Sequence, residues 1–432
     1  MNWAVIILFA SFGVLMVVGV PIAFSIGISA ALTFLLFMSF DQSVFVIAQQ
    51  MASGLDSFTL LAIPFFILAG NIMNRGGLAM RLVNLAQVIG GRLPGALAHV
   101  NVIANMMFGS ISGSAVASAA AVGGVMAPLQ RKAGYDPSFS AAVNIASSPT
   151  GLLIPPSTTF IVYSLITGGT SISALFVAGY LPGILMGVAL MTVAAIIAKK
   201  RGYPLAPKPS WREIAITARD AILPLGLIVV VMGGIVFGVF TATEASAAAV
   251  LYSLFLALAV YREIGLRDLP KIVLESAVTT TIVLFMIGAS MGMSRAMAFG
   301  DIPYSISDLL LGMSDNPLII LLVINIALLV VGTFMDMTPA LLIFTPIFLP
   351  VVQSLGMDPV HFGIMMTMNL CIGVCTPPVG SVLFIGCSVG KVPIGSVIKP
   401  MMPFYAVLIV LLLVVTYVPE ISLFLPQLIL NY

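Results

Sequence analysis

Residues Gly373–Ser381 read GVCTPPVGS, and their two adjacent prolines interrupt a segment that is otherwise apolar enough to cross a membrane. Proline lacks a backbone N–H donor and clashes with the preceding helical turn, so the pair should break a helix at this point. Irregular backbone at membrane depth persists only where it is buried in protein or lines a polar cavity. The stretch therefore predicts a discontinuous membrane helix whose broken centre serves a buried site.

A second Pro-Pro pair lies in the first half of the chain, in GLLIPPSTT at Gly151–Thr159. When the chain is aligned with itself so that the two pairs superpose, other prolines, glycines and Asp-Pro pairs superpose as well: Pro128 on Pro350, Gly134 on Gly356, Asp136-Pro137 on Asp358-Pro359, Gly151 on Gly373, Pro155-Pro156 on Pro377-Pro378, Gly168 on Gly390 and Ile172 on Ile394. We call this alignment the repeat register. Chance similarity explains aligned apolar segments, but not these residues in one register. The chain is thus predicted to contain two copies of one unit: three helices, a hairpin, a Pro-Pro-broken crossing and a last helix.

The 432 residues are 60% hydrophobic and only 7% charged, with a mean hydropathy of +1.19. Because soluble domains carry about 25% charged residues, this composition predicts a polytopic membrane protein in the lipid bilayer, and the net charge of +2 gives no sign of nucleic-acid binding. The N-terminus lacks the basic start and cleavage site of a secretory signal, so the first apolar run should remain in the mature protein. The three cysteines lack the partners of a zinc site, which predicts no metal–thiolate or disulfide chemistry.

Eight apolar stretches are long enough to span a bilayer, and four more are cut by Gly, Ser, Thr and Pro. The long stretches are 3–20, 22–40, 57–73, 175–198, 220–240, 243–261, 274–293 and 397–417, and the cut ones are 94–128, 138–168, 316–350 and 360–390. If 94–128 and 316–350 are re-entrant hairpins and the other two are broken crossings, the chain makes about ten crossings. The predicted fold is all-α, with one repeat in 1–200, a cytoplasmic connector in 201–219 and the second repeat in 220–432.

The basic residues orient this fold, because Lys and Arg concentrate in cytoplasmic loops. With the N-terminus outside, all of them except Arg295 face the cytoplasm: Arg75, Arg81, Arg92, Arg131, Lys132, Lys199, Lys200, Arg201, Lys208, Arg212, Arg219, Arg262, Arg267, Lys271, Lys391 and Lys399. The outside loops then carry mainly acids: Asp41, Asp301, Asp308, Asp315, Asp358 and Glu420. Both termini are therefore predicted outside. Five crossings separate equivalent points of the two copies, so the copies are inverted, as in secondary transporters whose broken helices form substrate and ion sites.

Hydroxyl, glycine and asparagine residues concentrate at the two hairpin tips and the two breaks. These four stretches are GSISGSAVAS (Gly109–Ser118), NIASSPTGLLIPPSTT (Asn144–Thr159), GTFMDMTPA (Gly332–Ala340) and GVCTPPVGS (Gly373–Ser381). Freed carbonyls with nearby hydroxyls suit an alkali cation, and half-helix amino ends suit an anion. Close packing by small residues is the alternative; it explains the run Ala117–Gly124, but not hydroxyls gathered where the backbone also breaks.

Asp336 is the ionisable residue that most suggests function, since it lies inside a hairpin within apolar sequence. It could be a cation ligand, a proton carrier, a residue that orients the tip, or an acid that reaches water. Glu244 could simply cap the following helix. Glu275 and Arg295 could face headgroups or a partner subunit. His361 could relay protons or be structural.

The combination of motifs resembles the large membrane subunit of tripartite ATP-independent periplasmic (TRAP) transporters, in the ion-transporter superfamily. The motifs are GVPIAF (19–24), LLAIPFFILAGNIM (60–73), GSISGSAVASAAAVG (109–123), GLLIPPS (151–157), GTFMDMTPALLIFTPIFLP (332–350) and MNLCIGVCTPPVG (368–380). The resemblance implies a sodium-driven elevator in the bacterial inner membrane, with no covalent cofactor and Na⁺ as the coupling ion. It also implies a small four-helix membrane subunit and a periplasmic binding protein that delivers an organic acid.

The resemblance further implies two sodium sites, each formed by one hairpin tip and the break of the same repeat. The first would use Ser110, Ser112, Ser114, Ser148, Thr150 and Gly151, and the second Thr333, Asp336, Thr338, Gly373, Thr376 and Pro377. No arginine is placed to clamp a carboxylate, so amino ends and polar groups near the breaks should hold the acid: Asn144, Ser157, Thr158 and Ser381. Such a site suits a hydroxylated monocarboxylate, and the sequence resembles sialic-acid members most. A C4-dicarboxylate or another sugar or keto acid is the alternative.

Three other classes of protein fit less well. A membrane enzyme needs a catalytic base and acid near the interface, and no repeated His, Asp or Glu pattern supplies them. A passive channel does not need inverted hairpins. The segment GCSVGKV (Gly386–Val392) is too short for a phosphate-binding loop and has Val392 where a hydroxyl would hold magnesium. An ion gradient is therefore the expected driver, without an ATPase.

Overall fold

The computed structural model describes residues 3–91, 95–203, 210–314 and 316–432. Arg92, Lys208 and Asp315, which the sequence assigned to opposite sides of the membrane, lie outside these ranges. The first residue of the predicted hairpin 94–128 and part of the predicted connector 201–219 also lie outside them. Throughout these four segments the chain forms helices, turns and loops, with no strand.

Twenty-one α-helices are described, eleven in the first half and ten in the second. The first half contains α1 (Trp3–Val18), α2 (Ile22–Phe34), α3 (Phe40–Leu55), α4 (Ala62–Arg75), α5 (Leu78–Gly90), α6 (Ala96–Ser112), α7 (Ala115–Lys132), α8 (Pro137–Ser147), α9 (Thr150–Leu153), α10 (Thr158–Ile166) and α11 (Ile172–Arg201). The second contains α12 (Trp211–Val236), α13 (Ala242–Leu254), α14 (Leu269–Phe299), α15 (Ile302–Met313), α16 (Pro317–Phe334), α17 (Met337–Ser354), α18 (Pro359–Gly373), α19 (Ser381–Gly390), α20 (Ile394–Tyr417) and α21 (Glu420–Leu430). A 3₁₀ turn, Phe58–Leu61, precedes α4, and a π-helical segment, Phe255–Val260, follows α13.

Eight helical segments of the described residues are long and apolar enough to cross a membrane, when α4 is counted with the 3₁₀ turn before it and α13 with the π-helical segment after it. The number rises to nine if the pair Pro137–Leu153 and Thr158–Ile166, bent by 53°, is one broken span. An all-helical protein with multiple membrane spans is thereby confirmed. The count of ten crossings stays a prediction.

Four helices were not expected from the sequence: α3, α5, α15 and α21. They are 11 to 16 residues long and mix apolar with polar residues, so they contain no apolar run of membrane-spanning length. Two of them, α5 and α15, occupy nearly equivalent positions when the halves are aligned in the repeat register. Each half therefore has a short extra helix just before its hairpin.

The helices around the hairpins follow the repeat register closely. Both ends of α7 coincide in this register with those of α17, the last residue of α6 coincides with that of α16, and the first residue of α8 coincides with that of α18. The repeated Asp-Pro pairs begin the broken helices. Asp136 and Asp358 accept backbone N–H bonds from Ser138 (3.1 Å) and Val360 (2.7 Å), and proline occupies the first helical position after each aspartate.

The helix contacts define two groups. We call α6–α11 with α16–α21 the hairpin group, and α1–α4 with α12–α14 the outer group. Within the outer group α4 packs on α13 and α14, and within the hairpin group α19 packs on α7 and α8. The short helix α5 contacts α6 and α12, and α15 contacts α17 and α14, so each touches both groups.

Candidate functional site

Each predicted break is a real interruption of a helix. In the first half α8 ends at Ser147, one turn follows as α9, and extended backbone leads to α10 at Thr158. In the second half α18 ends at Gly373 and α19 begins at Ser381. Both Pro-Pro bonds, Pro155–Pro156 and Pro377–Pro378, are cis. The prolines thus lie between two half-helices, as the sequence predicts.

Each hairpin touches its break through a pair of glycines. A Cβ added to Gly151 would lie 2.3 Å from the Cα of Gly109 in α6, and one added to Gly373 would lie 2.5 Å from the Cα of Gly332 in α16. Real Cβ atoms essentially never come closer than 3.0 Å to such neighbours. The tip and the break of each half are therefore held backbone to backbone, and only glycine permits this approach.

The hydroxyls at the first break donate to nearby helix carbonyls. Ser110 donates to Met107 O at 2.9 Å, Thr150 to Ser147 O at 2.5 Å, and Ser148 to Asn144 O. A hydroxyl that donates its proton keeps lone pairs that can bind a cation. The contact between Gly109 and Gly151 brings Ser110, Ser148 and Gly151 together. Part of the set predicted for the first sodium site is thus close together, while Ser112 and Ser114 line the cavity described below.

At the second break the tip is joined to the extended segment by backbone bonds. Thr333 O accepts from Val379 N at 3.1 Å and from Gly380 N at 3.3 Å. Thr376 donates to Ile372 O at 2.7 Å, next to Gly373 and Pro377. The hydroxyl of Tyr405 donates to Cys375 O at 2.6 Å. Thr333, Gly373, Thr376 and Pro377 are therefore near one another, whereas Asp336 and Thr338 face the cavity described next.

Both tips and both half-helix amino ends line one cavity of about 410 Å³. The predicted site residues on its wall are Ser112 and Ser114 from the first tip, Asp336 and Thr338 from the second, and Thr158 and Ser381 at the amino ends of α10 and α19. Asn71, Asn74 and Thr279 of the outer group form the opposite wall. A pocket of this size, with polar groups converging from several helices, is suited to a small molecule.

Asp336 differs from its counterpart in the first tip, Ser114. Both residues occupy the N-cap position of the helix that follows, and Ser114 caps α7 by accepting from Ala117 N at 3.2 Å. Asp336 makes no such bond to α17 and instead accepts from the Ser381 hydroxyl at 3.2 Å. Of the described residues that line the cavity, Asp336 alone carries a charge. Its carboxylate therefore joins the second tip to the amino end of α19.

The other predicted substrate residues lie outside the cavity wall. Asn144 is buried in an amide network, where its Nδ2 donates to Ala119 O (2.9 Å) and its Oδ1 accepts from Asn105 (3.1 Å). Ser157 is fully buried, and its hydroxyl has no hydrogen-bond partner within the described segments. The cavity thus includes Thr158 and Ser381 of the predicted set, and adds residues that the sequence did not suggest.

Asn71, Asn74 and Thr279 are those additions. Asn71 donates to the Ser276 hydroxyl at 2.8 Å, and Thr279 donates to Glu275 O at 3.0 Å. Asn74 is exposed. In the sequence these three residues are noticeable only as polar residues within the apolar helices α4 and α14. The sequence around them does not show which face of α4 or α14 packs against the hairpins.

Four residues with undecided roles have specific contacts. Glu244 forms a capping box with Thr241, with bonds of 2.8 and 3.3 Å, which confirms the capping interpretation. Glu275 pairs with Arg75 at 2.5 Å. The Arg295 guanidinium lies 4.9 Å from the centre of the Phe299 ring. His361 Nε2 lies 3.2 Å from Thr416 O, within the buried part of the hairpin group.

Comparison with known proteins gives consistent matches over almost the whole chain. The family model for the DctM component of tripartite ATP-independent periplasmic transporters matches residues 9–421. The chain is 58% identical to the uncharacterized protein YgiK of Salmonella typhimurium, covering 99% of this chain and 98% of that one.

Two further relatives have names that specify substrates. The C4-dicarboxylate TRAP transporter large permease protein DctM of Pseudomonas aeruginosa is 42% identical, covering 93% and 94% of the two chains. The sialic acid TRAP transporter large permease protein SiaM of Vibrio cholerae is 40% identical, covering 97% of each. The solved YdaH transporter of Alcanivorax borkumensis is similar in fold, with a TM-score of 0.63, 13% identity, and coverage of 87% and 88%.

Proposed function

The chain belongs to the DctM-component family of tripartite ATP-independent periplasmic transporters, and we propose that it carries an organic acid across the bacterial inner membrane with sodium as the coupling ion. It is a multi-pass membrane transport protein and not an enzyme. The observation that carries the proposal is the cavity in which both hairpin tips and both half-helix amino ends meet. Inverted-repeat transporters place substrate and ions at such broken helices.

The two breaks support two sodium sites. The first would use Ser110, Ser148, Thr150 and Gly151 with Ser112 and Ser114, and the second Thr333, Gly373, Thr376 and Pro377 with Asp336 and Thr338. Hydroxyl and backbone oxygens are the ligands that hard cations accept. The glycine contacts favour this use because they bring the tip backbone against the break. Asp336 would give the second site a charge that the first lacks.

The cavity favours a hydroxylated monocarboxylate, with sialic acid as the preferred candidate. No Lys, Arg or His occurs among the described residues of its wall, which are mainly hydroxyl, amide and apolar. The acid group would then bind to half-helix amino ends, where partial positive charge and free N–H groups are found. Hydroxyls of the substrate would meet Asn74, Thr279 and Ser112. A C4-dicarboxylate or another sugar or keto acid is the alternative, because the relatives named for dicarboxylates and for sialic acid are about equally similar.

The position of the cavity supports a state that faces the cytoplasm. Two residues of the cavity wall lie next to an ion pair: Asn74 precedes Arg75, and Thr279 follows Glu275 by one turn. The outer wall of the cavity therefore lies at about the same depth in the membrane as the pair between Arg75 and Glu275. The distribution of basic residues assigns Arg75 to the cytoplasmic side. For the same site to reach the periplasm, the hairpin group would move relative to α4 and α14. Helices α5 and α15, which touch both groups, would serve as the arms of such an elevator.

The family also suggests the partners. A small membrane subunit would pack on the outside of this chain, and a periplasmic binding protein would deliver the acid to it. Both termini would lie in the periplasm, as the charge distribution predicts. If uptake at saturating sodium is lost when the binding protein is omitted, this would support the proposal that the binding protein delivers the acid to this chain.

Sodium dependence tests the proposed coupling. We expect the reconstituted chain, with its small subunit and binding protein, to accumulate labelled acid only under an inward sodium gradient. Replacing external Na⁺ with K⁺ at equal ionic strength should reduce the initial rate to background, because the inward sodium gradient is the proposed driving force. The measurement is uptake into proteoliposomes. Uptake that is unchanged without sodium would contradict the proposal.

Replacing Asn74 tests the proposed outer wall of the substrate site. Asn74→Ala should raise the apparent KM for a polyhydroxylated acid about 2–10-fold, the equivalent of one net hydrogen bond, and leave the sodium dependence unchanged. The control is Gln49→Ala, which removes an exposed amide of α3 that does not line the cavity. An unchanged KM in Asn74→Ala, or an equal change in both variants, would exclude Asn74 from the substrate site.

A further inference from the structure

A second, much smaller cavity lies between α6, α7, α8 and α19. Its volume is about 10 Å³, and its polar wall consists of Asn101 on α6, Gln130 on α7, and Ser140 and Asn144 on α8. Asn101, Gln130 and Ser140 are 1%, 1% and 6% exposed. Yet Asn101 Nδ2, Gln130 Oε1 and Ser140 Oγ have no hydrogen-bond partner anywhere in the described chain. Buried polar atoms are nearly always bonded, so three unpartnered atoms around one cavity indicate that it holds a small polar molecule or ion.

The bonds already made by these amides determine what the ligand must do. Asn101 Oδ1 accepts from Asn105 Nδ2 at 2.8 Å, so the orphan Nδ2 has to donate. Gln130 Nε2 donates to Leu97 O at 3.0 Å, so the orphan Oε1 has to accept. A metal cation would be repelled by the NH₂ group of Asn101, and an anion by the oxygen of Gln130. A water molecule accepts from one and donates to the other, with Ser140 free to do either.

We propose that one buried water molecule occupies this cavity and bonds Asn101, Gln130 and Ser140. The volume agrees, because a cavity of about 10–15 Å³ is the least that holds a single water, which needs two to four polar partners. A sodium ion is excluded by the donor and acceptor pattern and not by size. The cavity is therefore a hydration site distinct from the proposed ion sites.

The equivalent positions in the second half of the chain are apolar. In the repeat register, Asn101, Gln130 and Ser140 correspond to Val323, Val352 and Phe362. Val352 and Phe362 are fully buried, and the Phe362 ring supplies the volume that a serine and a water would occupy. All three polar positions differ together, as expected if they serve a single occupant. At these three positions the two hairpins are thus packed against their broken helices by different means, with polar residues in the first half and apolar residues in the second.

The water completes a polar network that reaches the first break. Asn105 Nδ2 has two hydrogens, and three acceptors lie within hydrogen-bond distance of it: Asn101 Oδ1 at 2.8 Å, Asn144 Oδ1 at 3.1 Å and the hydroxyl of Ser147 at 2.7 Å. Ser147 is the last residue of α8, and its carbonyl accepts from Thr150. If the proposed sodium site is correct, the water is a positioning element for its first half. The hydration site itself does not depend on that proposal.

The direct test is a cryo-EM map of the complete complex at a resolution that shows ordered water. We expect one density peak within hydrogen-bond distance of Asn101 Nδ2, Gln130 Oε1 and Ser140 Oγ. The peak should keep its height when Na⁺ is exchanged for Tl⁺. Absence of a peak would overturn the proposal, and a peak that strengthens with Tl⁺ would identify a cation in its place.

Variants at Ser140 provide a second test. Ser140→Ala leaves room for the water, whereas Ser140→Val fills the cavity and leaves both amides without a partner. We expect Ser140→Val to lower the Tm of the purified complex by several degrees more than Ser140→Ala. Adding Asn101→Val and Gln130→Val, the residues of the second half, should recover part of that loss because no orphan amide remains. Equal Tm values for the two single variants would show that the site is dry.

Discussion

Asp336→Ala should reduce sodium-driven uptake by about 10–100-fold or more. Removing a residue that only supports the ligands of a metal site already lowers metal affinity or activity by about 10–100-fold. Asp336 supplies the one charge among the described residues of the cavity wall. It occupies an N-cap position without capping the helix, and is bonded to Ser381 across the site at 3.2 Å. An acid with only a structural role at this position would bond to the amino end of α17, as Ser114 does to α7. The measurement is the initial uptake rate as a function of sodium concentration.

A second substitution separates the charge of Asp336 from its hydrogen bond. Asp336→Asn keeps an acceptor for Ser381 but removes the charge, so a cation ligand predicts a loss close to that of alanine. A residue that only orients the tip predicts near-normal uptake for asparagine. Asp41→Ala is the control, since Asp41 is an exposed acid in the first turn of α3, outside the cavity wall. Normal sodium dependence in Asp336→Ala would refute the assignment of the second site.

The breaks and hairpins could be predicted from the sequence because their signals are local and occur twice. Proline pairs, Asp-Pro helix starts and tip glycines need no tertiary information, and a single repeat register aligns them. The short helices α3, α5, α15 and α21 could not be predicted from hydropathy, because they lie partly against protein and carry polar faces. Hydropathy identifies membrane-spanning runs, and these helices have none.

The candidate site was predictable only in part, for a physical reason. The sequence shows which residues interrupt a helix. It does not show which face of an uninterrupted helix lines the cavity, because that depends on how the helices pack. Asn71, Asn74 and Thr279 lie on ordinary helices, and their place opposite the tips follows from the contacts of α4 and α14 with the hairpin group. Conversely, Asn144 seemed suited to the substrate by proximity to the break, yet its amide is committed to Ala119 and Asn105. Hydrogen-bond commitments of this kind are visible only in three dimensions.

Gly151→Ala should abolish uptake while Gly124→Ala leaves it intact. A Cβ on Gly151 would overlap the backbone of Gly109 and lie 2.6 Å from Ser110 N, and neither backbone can rotate away as a side chain can. The first tip would therefore move off the break, separating Ser110 from Ser148. Overpacking in a well-packed interior costs about 1–3 kcal/mol, so we expect a lower Tm but a folded protein. Gly373→Ala, which meets Gly332 in the same way, should act similarly at the second site.

The control substitution lies in the same hairpin. Gly124 is in the middle of α7, and a Cβ there would meet nothing within 4 Å. Gly124→Ala should leave uptake unchanged and raise stability by up to about 1 kcal/mol, the difference in helix propensity. Retained uptake with normal sodium affinity in Gly151→Ala would show that the first tip and break need not touch, and the first proposed sodium site would then lose its geometric basis. Uptake is compared per folded complex, quantified by size-exclusion chromatography. If the loss of uptake in Gly151→Ala only matches the loss of folded protein, the contact between Gly109 and Gly151 has a structural role only.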